Sequence, residues 1–499
     1  MADLELQYRE IICFEAENDL VITHEESMET AIPEYCPDLA RIVDTSGQVR
    51  LRDKSLSDGK LTVNGSIRVT VLYTSEESAG LRSLTLTLPF SCKVDDKRDC
   101  QMITVDSRLL LLEVKMLGAR KLYVRALPEF RVRGYHKAVR RLCFAAEEET
   151  GLQTRRQQAI LPLLTDVWER EFSFAQEVPP ESGQEEAEDL LMDRIHLSVT
   201  SCQHFGNKLV VKGEANLSLL CRGETQRLER RDMTLPFSQI IDGDDLPDGG
   251  DYCCSAQVME HEIHPVRTEN GNGFGVTVRI CLLIQTFEQL TIDYLADLYS
   301  THSEMETNYE TTTFPTAQQP EELRRDTAQR LEGAGAFAYL TDVDCTQPEM
   351  TTSDNGLPAL RSTIHMKILY LDEAGTPVIA ERSAEVSGDL GQLPSFIQTC
   401  VESANWQRIG GGFEVRIPVL FRMQHTGQLD LTAIASARML GEIDRSATPS
   451  LVLRRLKEGE TLWDVAKQCR TEEQAILAAN GMEQGADTSD MMLLIPRVR

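Results

Sequence analysis

The 499-residue chain carries 51 basic and 79 acidic side chains, a formal charge of −28, so its long-range field opposes nucleic acid and anionic membrane surfaces. That length exceeds what one hydrophobic core serves, and at roughly 100–200 residues per domain three or four domains are expected. No stretch approaches the ~20 apolar residues of a membrane helix, and the opening "MADLELQYRE" lacks the basic-then-apolar order of a secretory signal, so an unexported chain without a membrane anchor is expected.

Along the chain, one long pattern returns. "LTVNGSIRVTVLY" (61–73) followed by "LTLPFSCKVD" (86–95) comes back as "LVVKGEANLSLLC" (209–221) followed by "MTLPFSQIID" (233–242). Gly65 and Gly213 are 213 − 65 = 148 positions apart, and Pro89 and Pro236 are 236 − 89 = 147 apart. A weaker third copy, "LRSTIHMKILY" (360–370), ends on Tyr370, 370 − 221 = 149 positions after Cys221. In it Ser362 replaces the glycine and no L-P-F follows. Such recurrence marks tandem units.

Within the first copy Ile67, Val69 and Val71 alternate with Arg68, Thr70 and Leu72, the period of a half-buried strand. A glycine inside such a strand predicts a bulge or a close backbone approach, and the proline of L-P-F predicts a strand end or a sheet edge. Runs at 121–135, 273–287 and 412–423 also read as strands and close the units. The polar, acidic, proline-bearing stretches 175–191 and 301–326 read as connectors, with a short helix expected at 321–331. The 13 cysteines are scattered, and the adjacent Cys253 and Cys254 suit neither an ordinary disulfide nor a C-x-x-C zinc knuckle. Reduced, buried thiols are expected.

Three stretches invite a catalytic reading. "HEIH" places His261 and His264 three apart in a strand-rich region, without the H-E-x-x-H spacing of a zinc helix. "GNGFG" (271–275) would cradle a phosphate only ahead of a helix, but the strand-like "VTVRICLL" follows; "GGGF" (410–413) has the same context. Hairpin turns are expected at both. With no catalytic residues, cofactor or metal ligands to name, an acidic chain of repeated modules reads as a scaffold rather than an enzyme.

From residue 450 the pattern changes. "LVLRRL" (451–456) predicts a short strand and "KEGE" a turn. Thr461 offers an N-cap oxygen with Asp464 three residues on, so a helix is expected from Leu462, burying Leu462, Val465, Ala466 and Cys469. In "TEEQ", Thr471 and Gln474 form a second capping box, opening a helix through Ile476 and Leu477 that Gly481 ends. "MMLLIP" (491–496) closes a strand-helix-helix-strand module. Trp463 stands about 100° off the buried stripe, with Lys467 and Arg470 following at i+4 and i+7. An aromatic with two cations on one helical face reads as a docking surface for a protein partner. Trp463 as a boundary core residue over the adjacent strand is an equally good reading, and the two are compatible.

This tail resembles the LysM domain, with "EGETLWDVAK", "ILAANG" and "LLIP" in the family's order and spacing. Glu458, Glu460 and the "SDMM" before the last strand depart from the family pattern. The resemblance implies a groove for N-acetylglucosamine glycans such as peptidoglycan, with Gly459, Glu460, Thr461 and Leu462 opposite Asn480, Gly481 and Met482. A LysM tail behind repeated "V-x-G … LY … LPF" units, at 63–90 and 211–237, resembles the SipL type of spore-coat morphogenetic proteins, whose repeats are SPOCS domains. The resemblance implies a mostly β chain: SPOCS-like domains at 1–148, 149–297 and 298–447, then an α+β (βααβ) LysM domain at 448–499. It further implies a scaffold in the mother-cell cytoplasm at the forespore surface, docking through LysM on the coat's basement-layer ATPase and recruiting other coat proteins. The alternative is a peptidoglycan-binding envelope protein.

Overall fold

The computed structural model describes residues 2–76, 80–180, 187–223, 225–243, 250–269, 271–334, 337–353, 355–444, 451–457, 459–483 and 491–496. The first unit holds β1 (Ala2–Asp3), β2 (Leu6–Ala16), β3 (Leu20–Thr23), β4 (Glu26–Ala31) and β5 (Arg41–Ser57). It continues with β6 (Lys60–Thr74), β7 (Arg82–Asp95), β8 (Met102–Gly118) and β9 (Lys121–Ala146). The second holds β10 (Leu152–Val178), β11 (Ala187–Phe205), β12 (Lys208–Gly223), β13 (Leu228–Asp242), β14 (Asp251–Thr268) and β15 (Gly271–Ser300). The third opens with β16 (Ser303–Ala317), β17 (Glu321–Glu332), β18 (Ala338–Cys345), β19 (Glu349–Thr352) and β20 (Pro358–Leu371). It closes with β21 (Pro377–Asp389), β22 (Phe396–Val401), β23 (Asn405–Ile409), β24 (Gly412–Gln424) and β25 (Thr426–Glu442). The tail is β26 (Leu451–Arg455), α1 (Leu462–Cys469), α2 (Glu473–Ala479) and β27 (Met492–Pro496).

Each unit is a sandwich. An antiparallel meander (β5-β6-β7, β11-β12-β13, or β18 and β19 with β20-β21) faces a second sheet built on β9, β15 or β24. The alternation read in 61–73 supplies the core, since Leu61, Val63, Ile67, Val69 and Val71 are fully buried against Leu122, Val124 and Phe130. Leu209, Val211 and Leu217 meet Val276, Val278 and Ile280 in the second unit, and Leu360, Ile364 and Ile368 meet Val415 and Ile417 in the third.

The repeat motif has a steric cause. Gly65 on β6 lies opposite Phe90 on β7, and Gly213 on β12 opposite Phe237 on β13. A Cβ on Gly65 would fall 2.7 Å from Phe90 Cζ and collide with the carbonyl oxygen of Arg50; one on Gly213 would collide with the Phe237 ring. The L-P-F phenylalanine therefore covers a bare backbone, the way aromatics shield strand glycines. Next to each glycine the neighbouring strand carries a bulge, at Leu51/Asp53 and Val199/Ser201, and Pro89 and Pro236 lie within edge strands. In the third copy both partners change together: Ser362 faces Val386, and its hydroxyl donates to the Thr346 carbonyl at 2.7 Å.

The units do not run in a line. Three hairpin arms, β2 with the end of β9, β10 with the end of β15, and β16 with β25, are equivalent. They share one core, in which Cys13, Leu163 and Phe314 meet Leu142, Leu298 and Ile434. A second shared core joins Leu72, Leu220 and Leu369, the neighbours of Tyr73, Cys221 and Tyr370. β1 pairs with β25, and Tyr8 donates to the Ala435 carbonyl at 2.7 Å, so the first unit closes on the third. The result is a closed ring of pseudo-threefold arrangement.

Several expectations are corrected. The 301–326 connector is largely strand: β16 pairs along its length with β25, and its polar outer residues reflect one solvated face. The helix expected at 321–331 is β17, whose Leu323 and Leu331 point inward at period two against Phe421 and Phe413. In the 175–191 connector β10 runs to Val178 and β11 begins at Ala187; residues 181–186 lie outside the described residues. Not every thiol is free, for Cys202 on β11 and Cys254 on β14 bring their sulfurs into disulfide contact between the sheets of the second unit. The other 11 cysteines are unpaired thiols.

Candidate functional site

In the tail, Thr461 is the N-cap of α1: its hydroxyl accepts from the Asp464 N–H, and Asp464 Oδ2 accepts from the Thr461 N–H at 2.9 Å. This reciprocal pair contributes about 1 kcal/mol to the helix start. Hydrogen bonds from the Thr461 side chain and backbone hold the Asp464 carboxyl below its usual value. The second box does not form. α2 has Glu472 as N-cap without a side-chain bond, because Thr471 is buried and its hydroxyl donates to the Pro496 carbonyl at 2.6 Å, fastening the helix junction to β27. Gly481, with φ of 63°, turns the chain after α2.

The expected groove residues are largely engaged within the module. Glu460 accepts from Arg454 and, at 3.0 Å, from the Lys457 N–H. Asn480 donates to the carbonyls of Ile476 and Leu494 and accepts from the Leu494 N–H, all within 2.8 Å, so its amide ties α2 to β27. Leu462 and Met482 pack on the module core beside Val465 and Ile495. A Cβ added to Gly459 or Gly481 would meet no atom of the described residues within 4 Å, so the two turns are uncovered. Glu458 and the Ser489–Asp490 part of "SDMM" lie outside the described residues.

The helical face of Trp463, Lys467 and Arg470 is not open to an outside partner, contrary to the docking reading. It sits on the chain's own β15 and β16. Trp463 Nε1 donates to Asp297 Oδ2 at 2.7 Å, and Lys467 Nζ donates to Asp297 Oδ1 at 2.6 Å and to the Tyr309 hydroxyl at 3.0 Å. Tyr299 meets the indole edge-on at 4.9 Å and donates to the Thr471 carbonyl at 2.7 Å. Arg470, in the left-handed region at φ 53°, reaches the Ser303 carbonyl and Glu304. Trp463 is 6% exposed, a core residue shared between module and ring. Burial would push the Asp297 carboxyl up, but the bonds from Lys467, Tyr309 and Trp463 outweigh it and hold it below 3.8. Sequence reasoning misses Asp297, Tyr299 and Tyr309, because nothing local marks an acid and two tyrosines on strands, one of them buried, as partners of a helix more than 150 positions away.

The other candidates are structural. His261 is buried at the joint between the first two units, its Nε2 against Asp193, which also accepts from Arg68 at 2.9 Å. His264 instead lies over Gly275. Among the described residues no group of three or more His, Cys, Asp or Glu is placed to hold a metal ion. "GNGFG" opens β15 in a hairpin with β14, and "GGGF" joins β23 to β24.

Residues 38–117, from the approach to β5 through β8, match the family model of the SipL SPOCS domain, and 455–486, spanning α1 and α2, match that of the LysM domain. This is the SipL-type architecture: SPOCS, then LysM. The Gly65–Phe90 pair falls within the SPOCS match, and the Trp463 face within the LysM match. Neither a curated protein nor a solved structure matches the chain. Together the two domains support a coat-associated or glycan-binding protein. No helix among the described residues is long and apolar enough to cross a membrane.

Proposed function

We propose that the protein is a non-enzymatic scaffold of spore-coat morphogenesis, acting in the mother-cell cytoplasm at the forespore surface. Its LysM domain docks on the coat's basement-layer ATPase, and the SPOCS-bearing ring recruits further coat proteins. The observation that carries this reading is the β26-β27 ribbon, where Leu451, Leu453 and Met492 are 52%, 67% and 63% exposed. An apolar ladder on a small module of a strongly acidic protein suits a protein partner, whose burial it would share. The opposite face is already engaged by Asp297, so the ribbon takes the place of the helical face as docking surface. The division of the ring at 148, 297 and 447 belongs to the same proposal.

The full chain should capture the purified ATPase, and Leu453→Lys with Met492→Lys should weaken capture more than about tenfold, as loss of central apolar contacts does. Unchanged thermal unfolding would show the variant folded, and capture retained at full strength would defeat the proposal. The LysM match itself favours a second reading, binding of peptidoglycan. In that case the full chain sediments with insoluble peptidoglycan and the ribbon variant does so equally well.

A further inference from the structure

The three joints of the ring are not sealed alike. Aspartates recur at positions 44, 193 and 342, each near the bulge in the first meander strand of its unit. At the first joint Asp193 of the second unit receives Arg68 from the first, at 2.8 Å, together with His261. At the closing joint Asp44 of the first unit receives Thr341 and, at 3.8 Å, Lys367 from the third. Aligned on Tyr73, Cys221 and Tyr370, the positions of Arg68 and Lys367 are held in the second unit by Asn216 and Ser218. Aligned on the shared G-F-x-V at Gly273 and Gly412, Glu262 opposite Thr277 corresponds to Asn405 opposite Arg416, so the position of His261 is held in the third unit by Ala404. All three replacements lack the cationic or imidazole group found at the other joints, and among the described residues Asp342 has no cation at ion-pair distance.

A cavity of about 370 Å³ occupies this third joint. Its floor is two polar rows of the second meander, Arg194–Ser218–Asp232 and His196–Asn216–Thr234, and its roof is the segment ending at Trp406. Arg194 Nη1 is buried there with no hydrogen-bond partner. Burial lowers the pKa of this guanidinium, with Asp342 and Tyr339 opposing from a distance. The neighbouring cation is spoken for: Arg230 bonds to Asp232 and the Ala338 carbonyl and lies over the Trp406 ring at 4.7 Å. A buried guanidinium N–H without an acceptor costs stability unless a ligand meets it.

We propose that this cavity is a binding site for a small polar anion, a carboxylate or a phosphate held by Arg194 in its forked donor geometry. Asn216, Ser218 and Thr234 face the polar body of that ligand. The site is independent of the LysM domain and of what it docks on. It exists because one joint of three lacks the cation that seals the others.

Isothermal titration of the full chain with inorganic phosphate and, separately, with succinate tests this. Saturable binding of either probe at millimolar concentration or below is expected, and which one binds identifies the anion. Arg194→Met should weaken it at least about tenfold without lowering the unfolding temperature, since it removes a buried N–H without an acceptor. Asp342→Asn, which removes a negative charge that acts on Arg194, should tighten it. Absence of saturable binding for both probes, or equal binding by wild type and folded Arg194→Met, overturns the proposal.

Discussion

Replacing Asp297 by alanine tests how the LysM domain is held to the ring. One carboxylate accepts from Trp463 and Lys467 of the module and, at 2.6 Å, from Tyr309 of the ring. Hydrogen bonds to a charged group contribute about 1.5–3 kcal/mol each, but the Lys467 and Asp297 side chains are 32% and 18% exposed, so solvent screening discounts the ionic share. Loss of the two bonds between module and ring should cost about 2–4 kcal/mol, on the order of a hundredfold in the ratio of seated to unseated module. Hydrogen exchange of the full chain should then quicken in 462–471 and 299–309 while the ring cores stay protected. Tryptophan emission should shift as Trp463 leaves Tyr299. Asp297→Asn, which keeps an acceptor for the indole but loses the charge, should fall between. The contribution of a carboxyl held below 3.8 is full above the unfolded-chain value and is lost as pH falls through the folded one, so wild type should approach the alanine variant in acid. Exchange and emission identical to wild type in Asp297→Ala would refute this account of the joint.

Three further outcomes follow from the ring and one from the tail. Gly65→Ala should destabilise the chain by about 1–3 kcal/mol by overpacking against Phe90 and the Arg50 carbonyl, and in a double-mutant cycle Phe90→Val should recover part of the loss; additive effects in chemical denaturation would deny the coupling. The two joint aspartates should respond oppositely. Burial opposes ionisation of Asp193, but His261 and Arg68 win and hold its carboxyl far below 3.8, so its stabilisation is present above that value and fades in acid; Asp193→Asn should cost about 3 kcal/mol at neutral pH and flatten the acid limb of a stability profile. For Asp44 burial wins over the bonds from Thr341 and Lys367 and raises the carboxyl, so its contribution is present below the unfolded-chain value and lost as pH rises through the folded one; Asp44→Asn should raise the unfolding temperature at neutral pH, measured by calorimetry. Thr471→Val should loosen the attachment of α2 to β27, costing about 1 kcal/mol and seen as faster exchange at 492–496, since a buried Pro496 carbonyl loses its donor.

The sequence by itself determined the period-two cores, the repeat and the LysM module. Those features are local: Val63, Ile67 and Val69 alternate because a strand must turn one face inward, and Thr461 with Asp464 caps α1 within four residues. It also hinted at the Gly65–Phe90 pairing, since V-x-G and L-P-F recur together. Tertiary structure alone decided that 321–331 is strand rather than helix, because a polar run takes its backbone partner from β24, some 90 residues on in the chain. It decided that Thr471 ties down β27 instead of capping α2, and that Trp463 faces Asp297. It closed three units into a ring and left the third joint without an ion pair, because Asn216, Ser218 and Ala404 are unremarkable until Arg68, Lys367 and His261 are seen in their places. Contacts between residues more than a hundred positions apart leave no periodic trace in either segment, and the polar atoms that lack a partner can be recognised only after every other pairing is known.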